Sequence, residues 1–339
     1  MTFARIHHAR AVTALAVLAA LLFALTPGQA GAAPQNPNDN EGGSASLTAA
    51  LDQASSGFVT AKAALETSQR RQAQLAVQMK ATEARIGTLQ SEVDKMAAGA
   101  YRGGRPSLIT TEPAGTPLGD FLGRASLLDQ VSWQNGQKLR ALAKSRSDLQ
   151  AQQRQNDTEV KTQAAKQAEM ARRKGDAEKA LGLTGSGNTA IVPASAARAA
   201  RAAPRAADGS WPRERCSLKD PTSGLCITPR MYHAYLEARA AGFQRFTHCN
   251  RPASFGEHPL GRACDFSVTA TGFGGIASGA AKTYGDRLAS FFIANADRLG
   301  VLYVIWFRRI WMPSTGWQPY SSGADPSASH RNHVHLSVL

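Results

Sequence analysis

Apolar residues recur every third or fourth position in the first half of the chain. Over residues 47–100, positions spaced alternately four and three residues apart are apolar at thirteen of sixteen places. An apolar seam with a period of 3.5 residues is typical of a coiled coil. No proline lies between Pro37 and Pro106, so we predict one helix about 80 Å long. The polar seam positions, where the helix pairing should be weaker, are Ser68, Gln72 and Thr82.

A second proline-free stretch predicts a second helix over 118–181. The intervening segment, 102–117, contains prolines and glycines that end a helix. The simplest arrangement is a long antiparallel coiled-coil hairpin over 47–182, acting as a spacer or oligomerisation arm, because no residue in it suggests chemistry. The second helix has a weaker apolar seam, made of Leu128, Val131, Leu139, Leu142, Leu149, Val160 and Met170.

The last third of the chain, residues 211–339, has a different composition. It holds all four cysteines, four of the five tryptophans and every histidine outside the first ten residues. Thr228 and Pro229 are a helix start signal, a second helical pattern covers 280–299, and 263–268 and 333–338 alternate as strands. We predict an α+β domain with a mostly antiparallel sheet.

Two low-complexity segments flank the hairpin. Residues 31–46 are polar and rich in Asn, Gly and Pro, which predicts a disordered lead-in. Residues 183–210 are small and mildly basic, which is typical of a flexible linker.

The N-terminus, residues 1–30, has the layout of a secretory signal peptide. Two arginines precede the apolar run 11–26, and small residues follow, with cleavage expected after Ala30 or Ala33. The alternative is an uncleaved membrane anchor, although the run is short for a membrane span. We therefore expect an exported protein, extracellular or associated with the cell wall, without a transmembrane span after cleavage.

The chain is strongly basic, with a formal net charge of +14. The charge is spread along the sequence. This distribution argues against a dedicated nucleic-acid patch and favours general attraction to an anionic surface such as a cell wall.

The cysteine count agrees with export. Four cysteines in an exported chain predict two disulfides, although three connectivities are possible. We expect the near pairs Cys216–Cys226 and Cys249–Cys264, because each closes a short loop. The alternative, a zinc site made of all four cysteines, lacks a Cys-x-x-Cys pair.

Two segments of the C-terminal domain carry candidate metal ligands. In the first, His258 precedes Asp265, and in the second, His333 precedes His335 by two residues. Alternation along a strand places His333 and His335 on one face, and turns Asp265 away from the neighbouring Cys264. Two imidazoles and one carboxylate make a three-ligand zinc set that leaves a fourth position for water, as a hydrolase requires.

The spacing of His258 and Asp265, followed far downstream by His333 and His335, is similar to the metallopeptidase superfamily of lysostaphin, D-alanyl-D-alanine metallopeptidases and hedgehog. The stretch HPLGRACDF looks most like the D-alanyl-D-alanine carboxypeptidase-like (M15-like) branch. The resemblance covers roughly residues 245–339. It implies zinc bound by His258, Asp265 and His335, with His333 acting as a base or stabilising the transition state.

One position departs from that pattern. Many carboxypeptidases of this type place a Glu base three residues before the last ligand. If His333 were the last ligand, that place would be held by His330. The arrangement His330-x-x-His333-x-His335 instead looks like the murein endopeptidase branch, which implies His335 as the ligand and His333 and His330 in supporting roles.

Three further charged residues lie close to the ligands in sequence. Arg251 and Arg262 are candidates for binding a peptide carboxylate, and structural ion pairing is the alternative for each. Glu257 is a candidate for the missing acid, although an extended chain would turn it away from His258.

These features imply an exported zinc metallopeptidase acting on peptidoglycan peptides. The hairpin ahead of the C-terminal domain resembles the organisation of exported bacterial peptidoglycan hydrolases and their activators. The hairpin would place the domain relative to the wall, to other cell-wall hydrolases or to a second copy of the chain. The alternative is a weak or inactive zinc- or wall-binding scaffold that regulates other hydrolases through the coiled coil.

Overall fold

The computed structural model describes residues 42–103, 118–182, 198–320 and 323–339. The predicted signal peptide, the predicted lead-in up to residue 41 and the first part of the predicted linker, 183–197, lie outside the described residues. Among the helices that are described, none combines the length and apolar content needed to cross a membrane.

Two long helices form the N-terminal part. Helix α1 is Ala45–Gly103 and helix α2 is Leu118–Ala180, and the two pack against each other. They run antiparallel, because Ser68 contacts Glu159 while Arg146 contacts Gln90, farther along α1. The predicted helical hairpin is confirmed.

The seam of α1 follows the predicted heptads. From Gln72 to Met96 the seam positions are the partly buried ones, and most residues between them are exposed. Two polar seam positions are paired across the hairpin. The Ser68 hydroxyl donates to the Glu159 carboxylate at 2.6 Å, and the Gln163 amide donates to Gln72 at 2.8 Å.

The seam of α2 differs in part from the prediction. Every seventh residue from Leu128 to Ala177 is at least partly buried, and Leu142 is 6% exposed. This repeat rotates three predicted seam residues out of the contact, so that each is about half exposed: Val131, Leu139 and Val160.

The C-terminal domain is built on an antiparallel sheet with helices, as predicted. Within the described residues six strands form this sheet, in the order β3-β4-β8-β5-β6-β7, and all neighbouring pairs are antiparallel. The strands are β3 Thr247–His248, β4 Ala263–Ser267, β5 Val301–Trp306, β6 Arg309–Met312, β7 Gly316–Pro319 and β8 His333–Val338. A separate pair joins β1 Leu218–Lys219 to β2 Cys226–Ile227. The helices are α3 Pro229–Ala240, α4 Gly279–Ala294 and α5 Ala296–Leu299.

The helix predicted over 280–299 is interrupted at Asn295, between α4 and α5. The Asn295 side chain accepts from the Ala200 backbone N–H at 2.8 Å and donates to the Arg198 carbonyl at 3.0 Å. The second part of the predicted linker is therefore fixed against the domain from Arg198 onward. Just before the start of α1, the Gly42 carbonyl accepts a hydrogen bond from the Tyr320 hydroxyl. The last predicted lead-in residues therefore also lie against the domain.

The two faces of the sheet have different roles. One face carries Phe266, Val304 and Leu336, which belong to a buried core with α3 and α4. The opposite face carries Asp265 and His335. On that same face the base of the hairpin packs against β5 and β6 in a second apolar cluster, which contains Leu51, Ala54, Ala177, Tyr303, Ile305 and Ile310.

Two disulfides cross-link this domain. They join Cys216 to Cys226 and Cys249 to Cys264, which confirms the predicted pairing and excludes a zinc site made of all four cysteines. Disulfides of this kind indicate an oxidising compartment.

Candidate metal centre

Strands β4 and β8 bring two of the predicted ligands together. Asp265 and His335 are directly opposite each other in the antiparallel register, and His333 is opposite Ser267. Because side chains alternate along a strand, all four residues face the same side of the sheet. The alternation predicted from the sequence is present in the structure.

His258 reaches the same place from the loop that precedes β4. The loop turns back at Gly261, whose φ is +68° and whose N–H donates to the His258 carbonyl. A Cβ at Gly261 would collide with the Sγ of Cys216, so both the backbone conformation and the space favour glycine. This tight return lets His258 meet Asp265 on the adjoining strand.

The ligand atoms of His258, Asp265 and His335 all lie within 4.8 Å of one another. The Nε2 of His258 is 3.2 Å from Asp265 Oδ2 and 3.3 Å from His335 Nδ1, and His335 Nδ1 is 2.9 Å from Asp265 Oδ1. All three side chains are buried. A group of this composition could hold a metal ion.

The surroundings of His258 and His335 fit a role as ligands. The Nδ1 of His258 faces the Cys249 carbonyl, to which it donates, and this leaves the Nε2 lone pair directed at the group. On the far side of His335, Nε2 lies 2.8 Å from the Ser337 hydroxyl. Metal-binding histidines use their second nitrogen in this way to fix ring orientation. The Cys249–Cys264 disulfide ties the acceptor carbonyl to the strand that bears Asp265.

Asp265 is an anion in this environment. Burial raises the pKa of its carboxyl, but His258, Arg251 and His333 outweigh burial and hold the pKa well below its ordinary value. The Arg251 guanidinium lies 2.6 Å from Asp265 Oδ2. The carboxylate is therefore available as a donor at neutral pH.

His333 and His330 extend the cluster. His333 Nε2 is 3.4 Å from Asp265 Oδ1, and its Nδ1 is 2.7 Å from the Asn332 side-chain oxygen. The ring of His330 packs 4.8 Å from that of His333. Burial lowers the pKa of His333 to about 4 and that of His330 well below its ordinary value, so both rings are neutral at pH 7.

His330 has a left-handed backbone, with φ of +51°. This conformation is uncommon for a residue with a side chain and needs support from its surroundings. The support comes from the β5–β6 turn, where Phe307 N–H donates to the His330 carbonyl at 2.9 Å and Arg308 N–H donates to the Ser329 carbonyl at 3.2 Å.

The two arginines predicted as substrate-binding candidates lie in different places. Arg251 belongs to the metal group through its contact with Asp265. Arg262 pairs instead with Glu257 at 2.5 Å and with Asp52 of α1 at 3.7 Å. Both guanidinium groups therefore make ion pairs within the protein, and a role of either in binding substrate stays a prediction.

Several neighbours of the group were not predicted. The ring of Tyr303 stacks on His335, with 5.7 Å between centroids and 9° between planes. Asn332 orients His333, and Phe273 packs 5.0 Å from the same imidazole. His248 is the cross-strand partner of Asp265 and so shares its face. Of these residues only Asn332 could have been found from the sequence, because it is adjacent to His333. The other three reach the group through the pairing or packing of segments that are distant in sequence.

The chain is similar, over residues 223–332, to the protein family described as VldE, C-terminal domain. That description names a domain and states no activity. The match spans the candidate metal ligands His258 and Asp265 but ends before His335. It is not a match to the carboxypeptidase-like family that the motif resembles, so that resemblance stays a prediction. No curated protein and no solved structure matches the chain significantly.

Proposed function

We propose that the protein is an exported zinc-dependent peptidase that acts on peptidoglycan peptides. The observation that carries the proposal is the convergence of His258, Asp265 and His335 within 4.8 Å on one sheet face. Two imidazoles and one carboxylate form the ligand set of many catalytic zinc sites, which keep a fourth position for water. The same donors also suit other transition metals, so zinc itself is part of the proposal.

His258, Asp265 and His335 would hold the ion. When bound, zinc supplies a Lewis acid that polarises the scissile carbonyl and lowers the pKa of a bound water to about 7. His333 would accept a proton at Nε2, because its Nδ1 donates to the Asn332 side-chain oxygen and so the lone pair is on Nε2, 3.4 Å from Asp265 Oδ1. His330 and Asn332 hold that ring in place. Arg251 holds the Asp265 carboxylate at Oδ2, the oxygen that His333 does not contact.

The setting of the site supports the choice of compartment and substrate class. The two disulfides fit an oxidising environment outside the cytoplasm. The net charge of +14 would draw the protein to an anionic cell wall. In this proposal the hairpin places the domain relative to the wall, to other cell-wall hydrolases or to a second copy of the chain.

A second candidate function is a scaffold that binds metal without turnover and regulates other hydrolases. The observation that favours it is the burial of the group, since His258 is 1% and His335 0% exposed. A peptide substrate must reach a catalytic ion, and burial of the ligands limits that access. The place of the usual Glu base is also held by a histidine, His330, if His333 is counted as the last ligand.

One substitution separates the two candidates. His333→Ala removes the proposed proton acceptor and leaves His258, Asp265 and His335 unchanged. The peptidase proposal predicts release of peptide fragments from purified peptidoglycan by the wild type, and loss of this release in the variant while zinc stays bound. A wild type that binds zinc and releases nothing supports the scaffold. Equal release by both proteins contradicts the role given to His333.

A further inference from the structure

The base of the hairpin lies beside the metal group. Leu51 of α1 is buried in the apolar cluster that contains Tyr303 and Ile305 of β5. Ile305 is the cross-strand partner of His335, so this cluster and the group lie on the same face of one sheet. Helix α1 therefore packs on the strand next to the one that carries a candidate ligand.

A first chain of contacts runs from α1 to His335. The Tyr303 ring lies flat against the His335 imidazole, with 9° between the planes. Tyr303 is only 2% exposed, and Leu51 belongs to the apolar cluster that encloses it. A side chain packed in this way has little rotational freedom, so it fixes the plane of the imidazole on which it stacks.

A second chain of contacts runs from α1 to His258. Asp52 lies 3.7 Å from the Arg262 guanidinium, and Arg262 lies 2.5 Å from the carboxylate of Glu257. Glu257 is buried and directly precedes His258 in the loop. Burial lowers the pKa of Arg262, but Glu257, Asp52 and Tyr303 outweigh burial and raise it.

Arg262 is the central residue of this second chain of contacts, since it pairs with both Asp52 and Glu257. It pairs with Asp52 across a cleft of about 430 Å³ that separates the first turns of α1 from the loop 253–262.

We propose that the first two turns of α1 position the metal ligands, with Leu51 acting through Tyr303 and Asp52 acting through Arg262. The inference rests on the proposed function in one respect, that the group binds a metal. Neither residue touches a ligand, so both are positioning residues. Partners of this kind raise metal affinity because the ligands lose less freedom when the ion binds. Displacing the hairpin base from the sheet would then weaken the metal centre.

The test is a zinc titration of the metal-free full chain against a chromophoric chelator. Asp52→Asn should weaken zinc binding about 10-fold, the lower end of what outer-sphere substitutions cost. Asp52→Glu keeps a carboxylate opposite Arg262 and should restore most of the affinity. Lys62→Met is the matched control, because it removes another ion pair between α1 and the domain, the one to Asp297, away from Arg262. Its affinity should stay within about twofold of wild type.

Two further measurements separate positioning from a general loss of stability. In an Arg262→Gln background, Asp52→Asn should cause no further loss of affinity, since its route to the ligands is already cut. The visible spectrum of the cobalt-substituted protein should change in Asp52→Asn and not in Lys62→Met, while both variants retain a cooperative thermal transition.

Three outcomes would overturn the inference. The first is an Asp52→Asn variant that binds zinc as tightly as the wild type does. The second is a double variant, Asp52→Asn with Arg262→Gln, whose loss of zinc-binding free energy equals the sum of the losses in the two single variants. The third is a wild type that binds no zinc, which overturns the proposed metal centre as well and so is distinguishable from the other two.

Discussion

Asp265 and His335 are separated by 70 residues in sequence, yet they are cross-strand partners, with Oδ1 of one 2.9 Å from Nδ1 of the other. The register of β4 against β8 delivers a carboxylate and an imidazole to one face of the sheet. A slip of one residue would send the two side chains to opposite faces. The candidate metal centre therefore depends on this register, and also on the disulfide that ties β4 to the segment after β3.

The Cys249–Cys264 disulfide should support metal binding as well as stability. Replacing both cysteines by serine frees the carbonyl that accepts from His258 Nδ1. We expect a loss of about 3 kcal/mol in the free energy of unfolding, from the loop that the bond closes. We also expect zinc affinity to fall about 10-fold, because the carbonyl that orients His258 is no longer tied to β4. Urea unfolding and a zinc titration measure the two effects.

The Cys216–Cys226 disulfide is the matched control, since it closes a loop of similar length. Its double serine variant should lose a similar free energy of unfolding and lose less zinc affinity, because this disulfide contacts the His258 loop only near Gly261 and does not tie the Cys249 carbonyl to β4. If both double variants lost the same affinity, the special role of the Cys249 carbonyl would be wrong.

Asp220 should make the domain sensitive to acid. Burial raises the pKa of its carboxyl, but hydrogen bonds from Ser223, Thr222 and the Asn250 backbone outweigh burial and lower it. A group with a lowered folded pKa stabilises the protein above its unfolded pKa, about 3.9, and this contribution is lost as the pH falls through the folded pKa. The bond to Asn250 also holds the backbone next to Cys249.

Asp220→Asn should therefore destabilise the protein by about 2 kcal/mol at pH 7, the loss expected for hydrogen bonds to a charged group. The difference from wild type should shrink as the pH falls below about 4. Urea unfolding of both proteins at several pH values checks this. A difference that stays constant down to the lowest pH would show that the Asp220 charge contributes nothing.

The position of the α2 seam can be tested with two alanine substitutions, one at Leu142 and one at Val131. Leu142 is 6% exposed and faces α1, whereas Val131 is 49% exposed. Leu142→Ala should destabilise the hairpin by about 2 kcal/mol, and Val131→Ala should change its stability by less than about 0.5 kcal/mol. Thermal unfolding followed by circular dichroism measures both. Equal losses of stability in the two variants would restore the seam predicted from the sequence, which contains both residues.

Features encoded over short distances were predictable from the sequence. The apolar period of 3.5 residues in α1 can be read directly from the sequence. Each disulfide joins two cysteines that are consecutive along the chain. Alternation along β8 placed His333 and His335 on one face before any partner strand was known. In each case the pattern and the structure are related by local geometry alone.

Features that depend on distant segments were not predictable. Val131 was placed in the seam because several apolar residues of α2 compete for it, and only the pairing with α1 decides between them. The break at Asn295 arises because its side chain binds Arg198 and the Ala200 backbone, nearly 100 residues earlier. The stacking of Tyr303 on His335 requires the register of β5 against β8.

The central claim is that His258, Asp265 and His335 form a metal centre. The most direct measurement is the metal content of the purified full chain by mass spectrometry after zinc has been offered, beside a His335→Ala control. The account predicts about one zinc per chain in the wild type and its loss in the control. An absence of metal in both proteins would contradict the claim.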